Sequence, residues 1–403
     1  MTSNNGVGVL GAKKLLLLNG SYAEIPLIVE AKKLGWHVIT SGNNRTGLGH
    51  AYADENIFGD YSDCEFVYRL AKDTAVDAIV ANCNDFAYLS AAYACEKLNL
   101  PGHDSFATAQ LIHSKINFRN ILRDLNLPTP KFKLCATLDE AKSFCRSIGF
   151  PLIVKPTDLS GGRGMTVCHS DAKIDAAFLK AQRATRKSAV LLEEFITGTY
   201  HAANVFIRAG KVVRAFFDDE QYYLNPYLVA GASTPSNLRH HTMTQSLVNI
   251  ERIAAHLRLV DGMFHIQFID RDGTPFFTDP CRRAPGDLYP RLIQHSTGFN
   301  CAREIVRAEC GEPFDDLEPD RRTHRFIARE CVLPARNGVV DKIFIDPSLE
   351  NRIIDQMIWT KRGDVIDDYL NHKAGILFLE FDGFDEMQSA LKDFYYLVRV
   401  EMQ

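Results

Sequence analysis

An α/β architecture built in more than one unit is what this sequence predicts, and three observations predict it. A chain of 403 residues exceeds what one ordinary hydrophobic core serves. The first hundred residues alternate short apolar runs with helical stretches, the pattern of a parallel sheet with crossover helices. The segment Leu127-Pro-Thr-Pro130 then breaks the chain and marks the boundary into a second unit.

Taken in order, Lys14–Asn19 is a short apolar strand, and a helical stretch follows near Ala23–Leu34. His37–Ser41 and Asp77–Ala81 read as further buried strands, and Phe86–Leu98 as a helix. Asn19-Gly20-Ser21 leaves the first strand and opens a helix, where backbone N–H groups can hold an anion. Gly20 equally serves as a plain turn. Asn84-Asp85 is placed similarly, and ligands of open parallel sheets lie at such strand ends. Leu100-Pro-Gly102 and Asp104–Ser105 punctuate the chain before the next helix. Lys115 begins another helix, which stops before Leu127.

Beyond the prolines, Phe132–Leu134 reads as a strand, Leu138–Ile148 as a helix and Leu152–Lys155 as a strand. A helix near Asp171–Thr185 precedes strands at Ala189–Glu193 and His201–Ile207. Phe216–Leu238 is polar and aromatic, and is expected to be a long loop walling a substrate. Thr242–Leu257 has the apolar face of a helix. The strands Met263–Ile269 and Pro275–Thr278 flank the turn Asp270-Arg-Asp-Gly273. A third unit is expected from about His324, with strands at Phe326–Leu333 and Gly375–Phe381 and a last helix near Asp385–Val398.

Composition excludes several classes of function. Hydrophobic residues make up 46% and charged residues 24%, as in globular proteins that are not membrane-embedded. The formal charge is −4 without a basic stripe, which argues against nucleic-acid binding. No apolar run approaches the roughly 20 residues of a membrane span. The four-leucine run Leu15–Leu18 is too short for a signal-peptide core, so a cytoplasmic chain is expected. Ten cysteines without a CxxC or CxxH pair suggest buried, reduced thiols rather than a zinc site or a disulfide framework.

Four segments carry the chemistry. Pro151-Leu-Ile-Val-Lys155-Pro156 ends an apolar strand with a lysine, a compact cation suited to phosphate. Ser160-Gly-Gly-Arg-Gly-Met165 follows at once, and its glycines permit close backbone approach to a phosphate. It lacks the GK[ST] ending of a P-loop and the spacing of a dinucleotide fingerprint. Leu191-Leu-Glu-Glu-Phe-Ile196 ends another apolar strand in two acids. Phe276-Phe-Thr-Asp-Pro-Cys-Arg-Arg-Ala-Pro-Gly286 sets an acid beside a cluster of arginines, groups that serve a metal and an anion.

In this order and spacing the four segments resemble the ATP-grasp superfamily of ligases, over essentially the whole chain. The resemblance implies a Rossmann-like N-terminal domain at 1–112 and an ATP-grasp domain at 113–323. Within the latter a lid subdomain spans about 130–196, and a C-terminal α+β subdomain fills 324–403. It implies that Lys115 and Lys155 bind phosphate, that Gly161, Gly162 and Gly164 form the lid, and that Glu193, Glu194 and Ile196 frame adenine. By position the metal ligands are Gln267 and Asp279, the acyl phosphate falls to Arg283, and Arg291 joins Arg282 and Arg283 in a cationic patch.

Three positions depart from the family pattern. Gln267 stands where an acid is usual, Cys281 where an asparagine is usual, and Tyr200 where a ribose-binding glutamate is usual. Asp270 and Asp287 are the neighbouring acids that offer compensation. The activity implied is ATP- and Mg²⁺-dependent ligation of a small carboxylate to an amine through an acyl phosphate, by a protein that is a homodimer by analogy. A bicarbonate-using, biotin-carboxylase-like or carbamoyl-forming enzyme is the alternative. A nucleotide-binding protein that has lost turnover is another.

Overall fold

The computed structural model describes residues 13–81, 83–157, 159, 164–187, 189–313 and 325–403. The chain divides into two units, one of residues 1–106 and 301–316, the other of residues 107–300 and 317–403.

The first unit is a four-stranded parallel sheet in the order β3-β2-β1-β4. Its strands are β1 (Lys14–Leu18), β2 (His37–Ser41), β3 (Glu55–Asn56) and β4 (Ala78–Val80). Leu15 to Leu18 are fully buried, so the leucine run is the hydrophobic centre of this sheet. Ser21 caps the turn after β1 through a capping box with Glu24. A side chain at Gly20 would strike the His50 ring, so glycine is required there by close packing. The helix Cys301–Glu309 belongs to this unit, and a Glu309 carboxylate oxygen accepts from the Ala81 N–H at 2.6 Å. No local sequence pattern signals that return.

The second unit begins with an antiparallel sheet ordered β5-β8-β6-β7. It comprises β5 (Phe132–Cys135), β6 (Leu152–Pro156), β7 (Thr166–Cys168) and β8 (Val190–Glu194). The helices Leu138–Ile148 and Ile174–Ala184 pack on it around Leu152, Val154, Phe178 and Leu192. Thr137 and Glu140 form a capping box that fixes the start of the first of them.

The main sheet has eight antiparallel strands, ordered β13-β12-β9-β10-β11-β14-β18-β16. These are β9 (Thr199–Arg208), β10 (Lys211–Gln221), β11 (Gly231–Thr234), β12 (Gly262–Arg271), β13 (Thr274–Cys281), β14 (Phe326–Val332), β16 (Ile353–Ile358) and β18 (Gly375–Phe381). A three-stranded sheet of β15 (Gly338–Ile345), β17 (Val365–Ile366) and β19 (Val398–Met402) completes the unit. One face of the main sheet buries Val205, Phe268 and Phe277 against the helices Lys115–Asp124 and His240–Leu257.

The expected loop at Phe216–Leu238 is corrected by this topology. Its first six residues continue β10, its middle holds β11, and only Tyr222–Ala230 connects them. Three consecutive acids, Asp218, Asp219 and Glu220, mask the strand, because two of them face a buried polar layer rather than solvent. The signal that identifies it is the hairpin turn Ala209-Gly210, where both residues have positive φ (49° and 75°). That is the geometry of a two-residue primed turn between paired strands.

Candidate active site

Register across the main sheet assembles the polar face from residues far apart in sequence. Gln267 of β12 pairs with Ala202 of β9, which pairs with Asp218 of β10. Side chains in register share a face and alternate residues return to it. Tyr200, Asp218, Glu220 and Gln267 therefore lie on one face, along with Asn204, His265 and Cys281. Ala232 of β11 pairs with Arg329 of β14, which pairs with Phe378 of β18, and the row extends to Asp355 of β16.

Asp279 enters this face through a bulge. The pairing of β12 with β13 shifts between Ile266 and Phe268, so Thr278 and Asp279 together oppose Gln267. Bulges re-aim side chains beside active sites. The Thr278 hydroxyl donates to the Gln267 backbone carbonyl at 3.1 Å, and the Asp279 side chain stays half exposed.

Lys115 is the first residue of its helix, which Ser114 caps. A cation there opposes the helix dipole. Its ammonium lies 3.5 Å from Asp279, a partner that offsets the cost. Lys155 is buried in contact with the Glu193 carboxylate, whose other oxygen accepts from Arg119 Nε at 2.9 Å. Arg119 also donates to the carbonyls of Phe277 (3.1 Å) and Thr278 (2.8 Å), tying β8 to β13. Burial raises the Glu193 carboxyl, but Arg119 and Lys155 override it and hold Glu193 below the usual range. Burial pulls Lys155 below its ordinary value, with Glu193 opposing. Asp279 and Lys115 act electrostatically on the same ammonium.

Glu194 pairs with Arg271 at 3.1 Å, and Ile196 is buried. Gly161 and Gly162 lie outside the described residues, as does Arg163. Gly164 has φ +74°, and a Cβ there would approach Pro156 to 2.7 Å and Ala184 to 2.9 Å.

The arginines separate. Arg283 donates to its neighbour's carbonyl, that of Ala284, at 3.0 Å. Arg291 pairs with Asp355 at 3.1 Å. Arg282 is 3% exposed and donates to the carbonyls of Met263 (2.5 Å) and Val260 (2.8 Å), so it is a structural brace and not part of a cationic patch. Asp287 is held by Lys373 at 2.5 Å and Arg329 at 3.7 Å, and Asp270 lies on the face opposite Gln267. Neither compensates for Gln267.

Glu220 is the acid that sequence reading missed. Its Oε1 accepts from Gln267 Nε2 at 2.5 Å and its Oε2 from the Tyr222 hydroxyl at 2.7 Å. Burial pushes its carboxyl up to about 7, against the pull of those hydrogen bonds. Tyr200, in place of the usual glutamate, packs its ring on Tyr222 at 5.0 Å. Asp218 beside them is buried, and burial with the adjacent Glu220 keeps its carboxyl well above the ordinary range.

Among the described residues no three His, Cys, Asp or Glu side chains converge as a metal cage. The hard oxygens of Asp279 and Gln267 still suit Mg²⁺, which typically takes only one or two protein ligands and completes its shell with phosphate and water. The Cys281 thiol is buried, donates to the Arg283 carbonyl at 3.7 Å, and is a poor ligand for that ion.

Residues 114–210 match the family described as carbamoyl-phosphate synthase L chain, ATP binding domain. Among curated proteins, the chain is 29% identical over 203 residues to a formate-dependent phosphoribosylglycinamide formyltransferase of Prochlorococcus marinus, covering 49% of this chain and 51% of that one. It thus spans about half the length of that relative. Among solved structures, an L-amino acid ligase from Bacillus licheniformis superimposes with TM-score 0.81 at 19% identity, over 97% of this chain and 99% of its own. The biotin carboxylase domain dimer of the Hydrogenobacter thermophilus 2-oxoglutarate carboxylase, in complex with MgADP and bicarbonate, superimposes with TM-score 0.76 at 19% identity, over 94% and 90%. These likenesses establish the ATP-grasp fold.

Proposed function

We propose that this chain, whose fold is that of the ATP-grasp ligases, uses ATP to join a small carboxylic acid to an amine. One observation carries the reading. Lys115 pairs with Asp279 at 3.5 Å at the rim of a sheet face that also presents Gln267, and Lys155, held by Glu193, feels the charge of the same carboxylate. This supports reading the lysines as phosphate-binding cations beside metal-binding oxygens.

A carboxylate oxygen of the acid attacks the γ-phosphorus, the bond to the bridging oxygen breaks, and ADP leaves with that electron pair. The amine then attacks the acyl carbon, phosphate departs, and the surplus amine proton passes to phosphate or solvent. The protein contributes positioning and fixed charge. Lys115 and Lys155 bind the phosphates, and Glu193 holds Lys155 in place. Gly161, Gly162 and Gly164 let the lid approach the triphosphate. The backbone at Glu194 and Ile196, with Glu193 close by, frames adenine. Asp279 and Gln267 hold Mg²⁺, which when bound neutralises charge on the transferring group. Arg283 faces the acyl phosphate, and Arg291 extends the anion site. A homodimer is the expected assembly.

The test is ATP turnover with Mg²⁺ against a panel of carboxylic and amino acids in the presence of hydroxylamine, which traps an acyl phosphate as a hydroxamate. ADP and hydroxamate with particular acids are expected. Nucleotide binding without either product across the panel contradicts the reading.

A further inference from the structure

The family pattern wants an acid at position 267, and the chain has an amide there. The acid is nearby, displaced by two strands. Gln267 sits on β12 and Glu220 on β10, with β9 between them. At a strand spacing of about 4.8 Å the two backbones stand roughly 9.5 Å apart. Gln267 is in register with Ala202 on β9 and Ala202 with Asp218 on β10, so Glu220, two residues along β10, reaches Gln267 diagonally across β9 on the shared face. Gln267 Nε2 donates to Glu220 Oε1 at 2.5 Å, while the Tyr222 hydroxyl donates to Oε2 at 2.7 Å.

This contact fixes which way the amide faces. A carboxylate accepts and does not donate, so it takes the NH₂ end of Gln267. The carbonyl oxygen, the only end of the amide that binds a hard cation, is then turned away from Glu220. We propose that Glu220 is a positioning residue for the metal ligand Gln267: it orients the amide oxygen toward the metal and supplies, one hydrogen bond removed, the negative charge that the family carries on the ligand itself. Tyr222 holds Glu220 in that role. The arrangement is an exchange of acid and amide between two strands. Outer partners of this kind orient metal ligands and tune their affinity. The inference rests on the nucleotide-site reading above.

Exchange predicts non-additivity. Gln267→Glu alone, although it restores the family residue, sets two carboxylates face to face. Glu220→Gln alone leaves two amides, either of which can face the metal with its nitrogen. The swap Glu220→Gln/Gln267→Glu re-creates an acid–amide pair with the acid on the metal side.

Mn²⁺ binding followed by electron paramagnetic resonance reads the site without turnover. It is measured at pH 8 with a non-hydrolysable ATP analogue, and analogue binding without metal is measured alongside. Each single variant is expected to weaken Mn²⁺ about tenfold or more while metal-free analogue binding holds. The swap is expected to return to within about threefold of the native chain. Thermal melts separate these effects from misfolding, because Glu220→Gln is isosteric and should melt like the native protein. Native-like Mn²⁺ affinity in Glu220→Gln, or a swap whose loss equals the product of the single losses, overturns the proposal. If the native chain binds neither analogue nor Mn²⁺, the nucleotide-site reading falls and this inference falls with it. If the native chain binds both and the singles match it, this inference falls alone.

Discussion

Burial makes charge placement the decisive feature at the level of single residues. Glu193 is legible in sequence as an acid ending a strand. Arg119, which shares it with Lys155, is not, because a helix-borne arginine 74 residues away gives no local sign of its partner. Removing one member of such a buried set leaves an uncompensated charge, the costly case for ion pairs. Glu330 illustrates the opposite sign. It is fully buried and accepts one hydrogen bond from Tyr223 at 2.9 Å, while among the described residues its other oxygen finds no hydrogen-bond partner. Burial pushes its carboxyl up to about 8, although Arg329 and Tyr223 pull it back. Between the ordinary value of 4.5 and about 8 the folded chain keeps a proton that the unfolded chain releases. Stability from this group is therefore present at low pH and declines as pH rises through that window. Glu330→Gln removes the titration. In urea unfolding at pH 5 and pH 8 the variant should gain on the native protein at pH 8. Equal stability differences at the two pH values contradict this assignment.

Elements with one-sided apolar patterns were legible, and those carrying polar rows were not. The strand His37–Ser41, the helix Leu138–Ile148 and the strand Gly375–Phe381 have the bounds their sequence suggests, because burial and period agree along each. β10 reads as a loop because its acids face a buried polar layer, and because strand propensity is overridden by the neighbours a residue packs against. The β13 bulge that delivers Asp279 is likewise invisible locally, since it exists only as a mismatch with β12. Gly164 gives an element-scale prediction. It sits at φ +74° just before β7, with Pro156 and Ala184 too near for a Cβ. Gly164→Ala carries about 1–2 kcal/mol of backbone strain alone, and crowding adds to it. Hydrogen exchange at Val154 and Thr166, paired across β6 and β7, should quicken accordingly, with a raised KM for ATP. Unchanged protection there contradicts a tightly packed anchor.

For the whole molecule, the parallel sheet at the N-terminal end was legible from alternating strands and helices. The return of the helix Cys301–Glu309 to that unit was not, because long-range association leaves no periodic trace. The four chemistry-bearing segments were legible as a series. Which of their side chains meet was not, because Lys155 and Glu193 are brought together by the pairing of β6 with β8 in the four-stranded sheet while Asp279 sits on β13 of the eight-stranded one. Among the described residues no helix is long and apolar enough to cross a membrane.

Activation of a carboxylate by its attack on ATP is followed through oxygen. Incubation with ATP, Mg²⁺ and a pool of ¹⁸O-labelled carboxylic acids, with an amine acceptor, should release inorganic phosphate carrying one ¹⁸O from the acid, because the acyl–oxygen bond breaks in the second step. Phosphate released without that label contradicts activation through an acyl phosphate.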